Sequence, residues 1–91
     1  MPAIAAIKIK VMPESIETDF EKIKVEAKKR IESEKGILSS FEEQPIAFGL
    51  KALIITLAWP EAKDTSILED HIKSIEGVSN ADIIDYRRAL G

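Results

Sequence analysis

A single histidine and no cysteine set narrow limits on the chemistry this sequence can carry. The missing thiols remove disulfides, zinc–thiolate sites and cysteine nucleophiles together. His71 has no second histidine with which to share a metal. It falls inside a predicted helix, where a surface or half-buried position is its ordinary role. No G-x-S-x-G pattern supports a serine nucleophile, and no D-x-D-x-D spacing supports a calcium loop. The glycine-rich patterns that cradle phosphate, G-x-x-x-x-G-K-[ST] and G-x-G-x-x-G, are also absent. The acidic residues Glu14, Glu17, Glu42 and Glu43 read as solvated. So does the basic run Lys28-Lys29-Arg30, diluted by Glu26, Glu32 and Glu34.

Two stretches remain. The first is Pro45-Ile46-Ala47-Phe48-Gly49-Leu50, an aromatic beside a glycine in a kink between two strands. By spacing alone, a core phenylalanine next to a bulge glycine is the favoured reading; an aromatic standing at the end of a sheet is the other. The second is the ending Asp85-Tyr86-Arg87-Arg88-Ala89-Leu90-Gly91. Two arginines on a short mobile tail would reach a phosphate or carboxylate, or else merely solubilise a terminus. Spacing leaves both open.

The elements that must position these residues follow from periodicity. Ala5, Ile7, Ile9 and Val11 alternate with Lys8 and Lys10, which predicts a half-buried strand stopped by Pro13. Thr18 with Glu21 fits a capping box opening a helix. Phe20, Ile23, Ala27 and Ile31 then form its apolar stripe, and Gly36 lies just beyond its end. A weak strand, Ile37 to Glu43, precedes a strong one from Lys51 to Trp59 whose Leu53, Ile55 and Leu57 face the core. Ala52, Ile54, Thr56 and Ala58 then make a mildly apolar open face with no aromatic on which an RNA base would stack. Ser66 and Glu69 fit a second capping box, with Leu68, Ile72 and Ile75 as the buried stripe and Gly77 as the stop. Val78 to Arg87 reads as a last strand whose alternation breaks at Ile83 and Ile84. The order β-α-β-β-α-β predicts an α+β ferredoxin-like domain, a four-stranded antiparallel sheet with both helices on one face.

Length and composition agree with one domain over residues 1–91, 45% apolar and 32% charged. The net charge of −3 argues against a dedicated nucleic-acid binder, which gains most of its affinity from phosphate contacts. No signal peptide or membrane span is read, so a cytoplasmic location is expected.

Three stretches in register resemble translation elongation factor 1-beta in its short archaeal form. They are Ile9 to Ser15, Pro45 to Leu53, and Ile75 to Ser79 with Asp82-Ile83. The resemblance implies the same ferredoxin-like fold. It also implies guanine-nucleotide exchange on elongation factor 1-alpha, a GTPase, by protein binding without cofactor, metal or covalent chemistry. Pro45, Phe48 and Gly49 match the family's P-[IV]-x-[FY]-G motif, in which the aromatic inserts into the partner. Tyr86, Arg87 and Arg88 match the family's ending, with Arg88 at the place of its penultimate lysine, a residue that enters the partner's magnesium site. A planar guanidinium is a poor substitute for an ammonium in a metal hole. Phosphate attraction by Arg87 or Arg88 is therefore the implied role, with Phe48 as a wedge beside the nucleotide. A monomer is expected. The competing reading is an oligomeric small-ligand-binding or regulatory ferredoxin-like domain.

Overall fold

A computed structural model describes residues 3–88. Four strands and two helices follow in the predicted order: β1 (Ile4–Pro13), α1 (Phe20–Ser33), β2 (Ile37–Pro45), β3 (Lys51–Pro60), α2 (Thr65–Lys73) and β4 (Val78–Arg88). The strands lie in the order β2-β3-β1-β4, every neighbouring pair antiparallel. The core joins Ile7, Ile9 and Val11 of β1 and Leu53, Ile55 and Leu57 of β3 to the predicted helix stripes, all buried except Phe20, which packs partly buried against them. One face of the sheet therefore carries both helices.

The open face is more covered than its sequence implied. Ala52 and Ile54 of β3 are buried. Ile54 sits between Lys10 of β1 and Glu42 of β2, and Ala52 lies opposite Gln44. Long side chains lay their apolar stems over small neighbours while their polar ends reach water. The lost alternation in β4 has a physical cause. Ile9 pairs with Ile83 but Lys8 pairs with Asp85, so Ile84 is an extra residue in a β-bulge.

The helix ends also differ in detail. Asp19, not Thr18, caps α1 by accepting from the Glu21 amide at 3.0 Å. Asp64, not Ser66, caps α2 by accepting from Ser66 at 2.9 Å. Thr18 and Ser66 are equally competent cappers by type, so composition alone did not rank them. The end of α1 is a Schellman motif: Gly36 N–H donates to the Ile31 carbonyl and Lys35 N–H to that of Glu32. Lys35, at φ 70°, takes the left-handed position expected of glycine. Gly36 is needed for space instead, since a Cβ there would stand 2.8 Å from the Ile31 side chain.

Candidate functional site

The β2–β3 hairpin projects beyond the sheet. Pro45 pairs with Lys51, and past that point Ile46 N–H donates to the Leu50 carbonyl at 2.8 Å. The intervening Ala47–Gly49 forms a single turn closed by Leu50 N–H on Ala47 at 3.2 Å. Within it Phe48 stands at φ 60°, ψ 31°, followed by Gly49 at φ 77°. A left-handed backbone costs an L-residue about 1–2 kcal/mol. The Phe48 ring offsets none of this by burial, because it is 94% exposed. The core reading of Phe48 is thus overturned: the hairpin carries it past Leu53, the last β3 residue paired with β1. Pro45 is exposed on edge strand β2, where a missing N–H is tolerated.

The β1–α1 loop lies at the same end of the sheet. It is tied down by its own short hydrogen bonds. Ser15 N–H donates to Thr18 Oγ1 at 3.1 Å and Glu17 N–H to Ser15 Oγ at 3.2 Å. Glu14 N–H donates to the Gly77 carbonyl at 2.9 Å. Ile16 is held 69% exposed within this turn. A cleft of about 310 Å³ runs between the two loops, with Ile16, Phe20, Gly49 and Lys51 on its walls. Sequence reading missed Ile16; its signal was a β-branched apolar residue between Ser15 and Glu17 in a polar turn.

Tyr86, Arg87 and Arg88 stand at the opposite end. They belong to β4 and pair with β1, so the arginines sit on a strand and not on a free tail. Residues 89–91 lie outside the described residues. Arg88 pairs with Ala5, which faces Trp59 of β3, whereas Pro45 faces Lys51. The eight-residue step from Lys51 to Trp59, at about 3.3 Å each, separates the two groups by about 26 Å. The structure therefore brings Pro45, Phe48 and Gly49 together, and Tyr86, Arg87 and Arg88 together, but not the two sets.

Adjacent strand residues point to opposite faces. Arg88, opposite Ala5, lies on the helix side and bonds Glu61 at 2.8 Å. Arg87, opposite Ala6, lies on the open face and bonds Asp85 at 3.2 Å. Tyr86 faces the helix side, half exposed, opposite Ile7.

Beside the arginine end, Glu34 ties the helical layer together. Its carboxylate takes Lys63 Nζ at 2.8 Å and His71 Nε2 at 3.1 Å. The Lys63 hydrogen bond, then that from His71, holds the Glu34 carboxyl below its usual range. His71 is thus half-buried and structural in its contacts. Arg30, read as solvated, instead spans the helices to the His71 carbonyl at 2.8 Å and to Ser74 Oγ. Among the described residues, no group of three acidic or histidine side chains converges on a metal position, and no helix is long and apolar enough to cross a membrane.

The fold resembles the solution structure of the C-terminal domain of the MgtC protein from Mycobacterium tuberculosis, with a TM-score of 0.62 over 97% of this chain and 88% of that one. At 12% identity, this likeness concerns the fold alone. In sequence the chain is 42% identical over 84 residues to elongation factor 1-beta of Methanosarcina acetivorans, covering 91% of this chain and 94% of that protein. It is 43% identical over 83 residues to elongation factor 1-beta of Methanothermobacter thermautotrophicus, covering 90% and 92%. Residues 6–89 match the family model described as the EF-1 guanine nucleotide exchange domain. The chain belongs to that exchange-domain family.

Proposed function

We propose that the chain drives GDP release from elongation factor 1-alpha by gripping it at two separated points, the Phe48 tip and the arginine end. Guanine-nucleotide exchange is the activity of its family, and the partner this implies is elongation factor 1-alpha. The observation that carries the reading is Phe48 itself, strained in the left-handed region and almost wholly in water. Strain of this kind persists where the exposed group has work to do.

Charge assigns the two ends different tasks. At the tip end Asp19, Glu21 and Glu43 line the cleft with Lys51, Lys24 reaches Glu43, and Glu14 and Glu17 stand in the β1–α1 loop. Such a surface is repelled by nucleotide phosphates. Arg87 and Arg88, at the other end, attract them. Phe48 therefore anchors the complex, and the arginines face the phosphate region. Exchange then follows from linkage: factor and nucleotide each weaken the other's hold on the GTPase by the same factor.

The test is GDP release from purified elongation factor 1-alpha loaded with a fluorescent GDP analogue. Substoichiometric amounts of this chain should accelerate release over many turnovers. An unchanged off-rate would remove the proposal.

A further inference from the structure

Phe48 is not the only apolar side chain that the tip holds in water. Ile16 is 69% exposed, in a turn whose backbone is fixed by four hydrogen bonds, three of them from within the turn. A surface turn needs no branched hydrocarbon at such a place, and Ile16, mostly in water, contributes little burial to folding. Ile16 lines the same cleft as Gly49, the chain neighbour of Phe48, so the two loops that carry the apolar residues meet there. Both are carried on backbone already locked in place. Little ordering entropy remains to be lost when a partner arrives.

The charges around the cleft narrow the choice of partner. Glu14 and Glu17 lie two and one residues from Ile16 and are exposed, with no ion pair among the described residues. Glu43 closes the far side between Lys24 and Lys51. The tip carries unpaired carboxylates, whereas Arg87 and Arg88 at the other end are each matched by one. A complementary surface is apolar at its centre and rimmed by lysine or arginine.

We infer that Ile16 and Phe48 form a two-point docking surface for an apolar cleft of the GTPase rimmed by basic side chains. The inference rests on the reading of Phe48 as a partner contact, and adds to it a second anchor and the partner's charge. Ile16 supplies affinity and not chemistry. Its loss raises the concentration of factor needed for half-maximal exchange and leaves the maximal rate in place.

The experiment titrates the full chain into elongation factor 1-alpha carrying fluorescent GDP, at low and moderate salt. Ile16→Ser is expected to raise the half-saturating concentration about tenfold, with Ile16→Leu restoring it. Glu14→Gln with Glu17→Gln is expected to raise it severalfold at low salt and to flatten its salt dependence. Circular dichroism melts of each variant should match the parent, since none of these side chains is buried. If Phe48→Ala impairs exchange and Ile16→Ser does not, the second anchor is refuted while the reading of Phe48 stands. If neither does, that reading falls too. If the acidic pair leaves the salt dependence unchanged, the basic rim is refuted.

Discussion

The two ends of the sheet hold their exposed side chains under opposite physical conditions. At the tip, Phe48 has strained backbone, no burial and no polar contact to satisfy. At the other end, Arg87 and Arg88 lie in regular strand geometry, each already paired with a carboxylate. The tip is thus ready to bind without prior loss. An arginine must first give up Asp85 or Glu61. Exposed pairs of that kind hold weakly and are screened by salt, so the exchange of partners is easy. On the proposed function, one end serves affinity through apolar burial and the other selection by charge.

The sharpest attack on this comparison is the double variant. Phe48→Ala is expected to reduce exchange efficiency about 30-fold, as for an interface hot spot. Arg88→Ala is expected to reduce it about tenfold. Sites more than about 10 Å apart act independently, so the pair should lose about 300-fold. GDP-release kinetics measure all three. A double variant no worse than Phe48→Ala alone would place both residues at one point of action.

Next in size is the response to salt. The residual activity of Arg88→Ala should depend less on ionic strength than that of the parent, whereas Phe48→Ala should keep the parent's slope. Equal slopes would erase the division of labour.

A smaller effect separates strain kept for binding from strain kept for nothing of the kind. Phe48→Gly removes the left-handed penalty and adds chain entropy, a net gain of about 0.5–1 kcal/mol. Its melting temperature should rise by about 2–6 °C while exchange falls as in Phe48→Ala. Lys35→Gly, at φ 70° in the Schellman turn, should gain similar stability with exchange unchanged. Thermal melts beside exchange assays decide it.

The smallest effect concerns pH. The folded state lowers the Glu34 carboxyl below its ordinary value of 4.5, chiefly through Lys63. The stability this contributes is fully present above 4.5 and is lost as pH falls through the lowered folded value. Melts from pH 7 to pH 3 should show Glu34→Gln less stable than the parent at neutrality, and the difference closing in acid.

Much of this molecule was legible in its sequence. The alternation of Ile7, Ile9 and Val11 and the stripes Ile23-Ala27-Ile31 and Leu68-Ile72 are direct records of burial, because period and face are locked together. The exposure of Phe48 was not legible. An aromatic beside glycine is ordinarily a core residue, and only the length of the hairpin beyond the β1–β3 pairing lifts it out. Its remoteness from Arg88 was implicit in the element order. In β-α-β-β-α-β the central hairpin turns at one end and the last strand finishes at the other. The helix caps stayed ambiguous because Thr18 and Asp19 offer the same chemistry one residue apart. Arg30 was misread because its partners, His71 and Ser74, come from a helix far along the chain.

The bulge at Ile84 reaches further than its size. A regular strand would let one inserted residue reverse the phase of everything after it, but the bulge absorbs Ile84 and keeps the alternation from Ile83 to Asp85 intact. With Ile84 in place, Arg88 shares the side of Glu61 and Arg87 the side of Lys8. Were Ile84 taken into the ladder as a regular residue opposite Lys8, Arg87 would move opposite Ala5, on the side of Glu61, and Arg88 would turn towards the bare face. Which arginine stands on which face is thus decided by a bulge four residues upstream of Arg88.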